Sequence, residues 1–216
     1  MIPKDKGSTH IVYSICVSGA ASGPTIASSK KLAIELGQEI AKKGQTIVTG
    51  ATVGLPFFAA AAAKKLGGKS IGFSPAISLR EHLRKYRLPF ECYDFINFTG
   101  LNYVGRDLYL VQSSDAVITV GGRFGSLHEF TSALEDNKPC GVLLGSGGTA
   151  DWIPKLMESL EPPHRDLVIY SHDPADLVDQ IIKKLDEKNA DLNEHLKNHD
   201  HFWYLDDEEF ESSHSG

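Results

Sequence analysis

The chain has 216 residues, 41% of them hydrophobic, and a formal net charge of −6 from 22 basic and 28 acidic side chains. That length and apolar share suffice for one sizeable core, and no run of 18 apolar residues is present to cross a membrane. The charge is uneven: ten acidic residues and two lysines fall between Asp186 and Gly216, so the rest of the chain carries +2 and offers no basic face for a nucleic-acid polymer.

The opening MIPKDKGSTH lacks the apolar stretch of a secretion signal, and Cys16, Cys92 and Cys140 lie far apart. A cytoplasmic location with buried thiols is expected, not a disulfide framework or a zinc knuckle.

Apolar runs and helical periodicity then alternate along the chain. HIVYSICVSG (10–19) reads as a strand, 27–43 as a helix, QTIVTG (45–50) as a strand and 55–66 as a helix. KSIGFS (69–74) and YDFINFT (93–99) are predicted strands on either side of an irregular basic stretch, SLREHLRKYR. A helix over 103–113, strand DAVITV (115–120), helix over 126–135, strand KPCGVLL (138–144), strand LVIY (167–170) and helix over 173–186 complete the order. Strands apolar on both faces and joined by helices cannot be hairpins. They predict a three-layer α/β, Rossmann-like fold with a mainly parallel sheet of about six to seven strands and helices on both faces. Residues 1–189 are expected to form this single domain. Residues 190–216 are expected to be an acidic, flexible tail: they are polar, show no periodicity that would bury Phe202 to Tyr204, and lack a cysteine to join His195, His199 and His201 in a metal site. No metal and no cofactor is assigned.

In parallel sheets ligands bind beyond the carboxyl ends of the strands. The strand ends here carry glycine-rich loops: SGAASG (18–23), TGATVG (49–54), TGLN (99–102), GGRFGS (121–126) and GSGGT (145–149). Gly19, Ser22, Gly50 and Gly54 are therefore candidate ligand contacts. GGRFGS lies between a strand and a helix, so the amides of Gly122 to Ser126 converge on an anion at a helix N-terminus, with the Ser126 hydroxyl beside them and Arg123 adding charge. A phosphate is the expected occupant; helix capping by Ser126 is the competing explanation. No Gly-Lys-Ser/Thr follows the loop, the dinucleotide fingerprint is absent, and no acidic residue closes the strand QTIVTG, so Walker-type phosphoryl transfer and NAD chemistry lose support. Glu129, three residues after Ser126, faces back toward the bound phosphate, whereas His128 is expected to point away as a structural residue. Arg106 opens a helix that packs on the sheet near the strand ends, where an arginine seeks an anionic partner.

Taken together, IVTGATVGLPFFAAAAAKKLGGKSIGFSPA and GRDLYLVQSSDAVITVGGRFGSLHEFTSALEDNKP resemble the LOG-type family of nucleoside-monophosphate phosphoribohydrolases, long mislabelled as lysine decarboxylases. The resemblance covers about Ile11 to Val142 and differs from the family pattern in having valine at 120 in place of proline, serine at 126 in place of threonine and alanine at 51 in place of glycine, a pattern closer to a sister branch of that family. It implies that Gly121, Gly122, Gly125 and Ser126 hold a 5′-phosphate and that Arg106 and Glu129 are the catalytic pair. The implied reaction is hydrolysis of the N-glycosidic bond of a nucleoside 5′-monophosphate such as AMP, giving free base and ribose 5-phosphate, in a homodimer. A non-catalytic nucleotide-binding or sensing protein on the same fold is the alternative. A pyridoxal-phosphate decarboxylase is disfavoured, because no lysine falls at a strand end to form the Schiff base.

Overall fold

The structure is a computed structural model describing residues 11–198, with side chains described to Glu194. Its compact body runs from Val12 to Leu185. Seven strands form one sheet: β1 (Ser14–Gly19), β2 (Thr46–Thr49), β3 (Ser70–Ser74), β4 (Phe95–Phe98), β5 (Ala116–Val120), β6 (Cys140–Leu143) and β7 (Val168–Ser171). Their order is β4-β3-β2-β1-β5-β6-β7, with every pairing parallel. The central β1 and β5 are in register from Ile15–Ala116 to Gly19–Val120. Residues of β1, β2, β5 and β6 are buried on both faces, which is why these runs read as continuously apolar.

The connecting helices are α1 (Thr25–Lys42), α2 (Leu55–Lys65), α3 (Leu79–Arg84), α4 (Asn102–Gln112), α5 (Phe124–Glu135), α6 (Gly148–Leu160) and α7 (Pro174–Lys188). On one face Cys16, Val48, Val117, Cys140 and Val142 pack with Leu110 and Val111 of α4, Phe130 and Leu134 of α5 and Ile153 of α6. On the other, α1 lies along α2, Lys43 pairs with Asp179 of α7, and Ile181 of α7 lies over Gly141 and Ile118. Alternate residues of each strand thus supply the two halves of a three-layer core. All three cysteines are free and buried.

Two helices of the body escape the sequence pattern. α3 arises within the basic stretch, where Ser78 Oγ accepts the Glu81 amide at 3.3 Å and Glu81 Oε2 accepts the Ile77 amide at 2.8 Å. This is a Ser-x-x-Glu capping arrangement legible in SLRE. α6 starts in the glycines of GSGGT, with Asp151 accepting the Gly145 and Gly147 amides at 2.7 and 3.0 Å; its Pro154 masks the helical pattern. α5 starts at Phe124, two residues earlier than expected. The stretch after Asn189, expected to lack regular structure, opens with a further helix, α8 (Ala190–Asn198). Residues 199–216, including His199, His201 and Phe202 to Tyr204, lie outside the described residues, as does the side chain of His195. Among the described residues no helix is long and apolar enough to cross a membrane.

The α1–α2 contact rests on small residues. A Cβ on Gly37 would overlap the Ala59 carbonyl, with its carbon only 2.6 Å away. Gly37→Ala is therefore expected to force the helices apart and lower stability by about 1–3 kcal/mol, against the better helix propensity of alanine. A thermal melt should fall by several degrees; an unchanged midpoint would show that this interface yields freely.

Candidate functional site

The order of strands reverses at the centre. From β1 the chain moves outward through β2, β3 and β4, then returns to place β5 on the other side of β1. The loops after β1 and β5 therefore leave the sheet in different directions and open a crevice between them, the usual ligand position in such folds. A cleft of about 330 Å³ occupies this point, lined by Gly19 to Ser22 after β1, Gly50 and Thr52 after β2, Tyr103, Arg106 and Asp107 of α4, and Arg123 to Ser126 and Glu129 around the start of α5.

The α5 N-terminus brings backbone donors to the cleft. Its first helical bond runs from the Leu127 amide to the Arg123 carbonyl at 3.0 Å, so the amides of Phe124, Gly125 and Ser126 have no acceptor within the helix. They face the positive end of the helix dipole. Arg123 Nη1 donates to Ser22 Oγ at 2.9 Å and ties the β1 loop to this one.

Not all the expected glycines contact the cleft. Gly19, Gly50 and Gly125 line it, as do Ser22, Arg123 and Ser126; Gly54, Gly121 and Gly122 do not. The Gly121 amide already donates to Ser146 Oγ at 2.7 Å, and the Gly121 and Gly122 carbonyls accept the Ala150 and Thr149 amides at 2.9 and 3.1 Å. GSGGT is thus a floor under the anion loop, not a ligand loop. Gly122, with φ 105°, lies where a Cβ would come 2.6 Å from Ser126 Cβ. Gly54, with φ 85°, lets the β2 loop lie against the Ala20 carbonyl. Their role is to shape the loops from behind.

Beneath the anion loop lies a buried charge cluster. Arg106 is 4% exposed, Asp107 6% and Glu129 7%. Arg106 Nη1 stands 3.6 Å from Glu129 Oε1, and Arg106 Nη2 stands 3.5 Å from Asp107 Oδ1. These separations are charge contacts rather than short hydrogen bonds. Ser18 Oγ, at the end of β1, donates to Glu129 Oε2. Arg106 Nε is buried without a hydrogen-bond partner, an exception to the usual pairing of enclosed donors. Gly50 lies flat against this guanidinium, and a Cβ there would overlap Nη1. Ala51 next to it takes φ 49° and turns its Cβ toward Gly72 rather than into the cleft.

Burial pushes the Glu129 carboxyl up to about 7; Arg106 pulls it back, while Asp107 pushes it further up. Desolvation outweighs the arginine, because the carboxyl is enclosed and a second carboxylate shares the same cation. His128 does not simply point away. Its Nδ1 lies 3.2 Å from Asp107 Oδ2, at the half-exposed outer edge of the cluster.

Sequence reasoning missed Asp107, Ser18, Tyr103 and Phe124. Asp107 directly follows Arg106, and adjacent helical residues do not normally share a face. Ser18 reads as one more strand residue. Both join the site only because β1, α4 and α5 meet here.

Fold and site together define a doubly wound α/β protein with a polar crevice at the start of α5. More narrowly, residues 12–178 match the SLOG cluster4 family, and the chain belongs to it. That match does not single out the LOG-type phosphoribohydrolases. An uncharacterized protein of Archaeoglobus fulgidus is 33% identical over 110 residues, half of this chain and 66% of the relative, so the chain spans slightly less than two thirds of that relative's length. Among solved structures, the molybdenum cofactor binding protein of Rippkaea orientalis is 30% identical, with TM-score 0.64, covering 81% of this chain and 98% of its own. The molybdenum cofactor carrier protein of Chlamydomonas reinhardtii is 27% identical, with TM-score 0.66, covering 82% and 99%.

The elevated Glu129 proton affinity has a direct consequence. The folded protein holds this proton more tightly than the unfolded chain, so the associated stability is full below about pH 4.5 and is lost as pH rises through about 7. Glu129→Gln cannot ionise and escapes that loss. Its melting temperature relative to wild type should be more favourable at pH 8 than at pH 5. The opposite trend in scanning fluorimetry would mean that Glu129 is ionised throughout.

Proposed function

We propose that the cleft binds a nucleoside 5′-monophosphate and hydrolyses its N-glycosidic bond to free base and ribose 5-phosphate. The observation that carries this reading is Glu129: a buried carboxyl beside a buried arginine, opening into the same cleft as the unsatisfied α5 amides. A site built only to hold phosphate has no need of it.

In this reading the amides of Phe124, Gly125 and Ser126, with Ser126 Oγ and Arg123, hold the phosphate. Arg106 orients the sugar through its guanidinium, and Ser18 fixes the rotamer of Glu129. As the glycosidic bond lengthens, positive charge develops on the sugar. The ionised fraction of Glu129 stabilises that cation and takes a proton from the attacking water, while the leaving base is protonated from solvent. Interaction thus strengthens from ground state to transition state, as rate acceleration requires.

The working form of Glu129 is the carboxylate, so kcat/KM should climb as pH rises from 6 to 8. Glu129→Gln should keep nucleotide binding but lose roughly 10²- to 10⁴-fold in rate, and Arg106→Ala should weaken both binding and turnover. The measurement is base release from a panel of nucleoside 5′-monophosphates, with binding followed by calorimetry. Unimpaired turnover by Glu129→Gln removes this residue from the mechanism.

A second reading, a carrier without turnover, is favoured by the structural similarity to proteins named for binding or carrying the molybdenum cofactor. Tight ligand binding by the wild type with no base released from any nucleotide decides for it. A homodimer is proposed as well: Val104 and Leu108 of α4 are 72% and 48% exposed and Tyr109 is 51% exposed, an apolar helix face that a second copy would cover. Sedimentation as a monomer at micromolar concentration would overturn it.

A further inference from the structure

Two aromatic side chains of the cleft have no part in the phosphate or sugar contacts proposed above. Phe124 is 88% exposed at the first position of α5, directly beside the free amides. Tyr103, at the second position of α4, is 46% exposed and lines the same cleft. Burial does not account for either ring, since a phenyl group left in water contributes nothing to folding.

Tyr103 is nonetheless held in place. The ring of Tyr86 meets it edge-on, with centroids 5.6 Å apart and planes at 85°. Tyr86 in turn donates its hydroxyl to Asn102 Oδ1 at 2.7 Å. Asn102 adopts φ 56° and Gly100 φ 70°, so the chain takes two left-handed residues to enter α4 in this direction. Such conformations are uncommon for a side chain other than glycine and need support from their surroundings. The segment after α3, which contacts the cleft through no side chain of its own, acts here as a brace behind Tyr103.

We infer that Tyr103 and Phe124 form a stacking slot for a planar aromatic heterocycle, the base of the phosphorylated ligand; this rests on the phosphate and sugar assignment above. The α5 amides mark the phosphate end and Arg106 and Glu129 mark the sugar. The remaining lining, which includes Thr52 and Pro56, is the space left for the base. Aromatic faces take any π-system and read few hydrogen-bonding edges. The slot therefore accepts different bases and ranks them by stacking area, purines ahead of pyrimidines.

The test compares AMP with ribose 5-phosphate, which lacks the base, by calorimetry on the full-length chain. Wild type should bind AMP more tightly than ribose 5-phosphate. Tyr103→Ala should weaken AMP by roughly ten- to hundredfold and leave ribose 5-phosphate unchanged, and Phe124→Ala, which keeps the backbone amide, should weaken AMP by more than it weakens ribose 5-phosphate. Phe124→Ala alters an exposed ring and carries the test if Tyr103→Ala does not fold. Equal affinity of wild type for the two ligands, or unchanged AMP binding in Phe124→Ala, overturns the slot while leaving the phosphate site standing. Binding of neither ligand by wild type overturns the phosphate and sugar assignment, and the slot with it.

Discussion

A guanidinium removed from water must keep its counter-charges close, and the centre of this protein is arranged around that requirement at Arg106. Two carboxylates approach it, Asp107 from its own helix and Glu129 from α5. The β2 loop must pass without a side chain at Gly50, where any Cβ would overlap the guanidinium. Removing one charge would strand the others, so α4, α5 and the β2 loop are bound into one unit. The same enclosure keeps Glu129 from ionising freely. Site chemistry and local packing are therefore two aspects of one buried cluster.

The anion loop obeys a different constraint. Backbone amides can face a ligand only if their carbonyls and neighbours are satisfied elsewhere. The start of α6 does this: it takes the Gly121 and Gly122 carbonyls, while Ser146 takes the Gly121 amide. Thr149 Oγ1 also donates to the Arg123 carbonyl at 2.8 Å. The amides left without a helical acceptor are those of Phe124, Gly125 and Ser126, the later part of the Gly122-to-Ser126 run expected from the sequence. The glycines make the turn; the residues after them face the cleft.

Membership of the SLOG cluster4 family and similarity to molybdenum cofactor proteins bear on the fold and the crevice. The proposed hydrolase reading turns on the protonation and surroundings of one carboxyl, Glu129, on which Arg106, Asp107 and Ser18 converge. Similar glycine loops alone would serve a hydrolase or a carrier.

Much of the architecture was legible in the sequence. Runs such as SICVSG and AVITV, apolar on both faces and separated by helices, require a covered parallel sheet, and the glycine loops mark its ligand-binding edge. GGRFGS followed by Glu129 identified the α5 N-terminus, because strand, turn and helix there are contiguous and local rules suffice. The sequence could not show which glycines face the ligand, that Asp107 shares Arg106 with Glu129, or that Tyr86 braces Tyr103. Those facts depend on segments far apart in the chain, brought together where β5 crosses to the other side of β1. The proton affinity of Glu129 belongs to the same class: it is a property of enclosure, and only the tertiary structure encloses it.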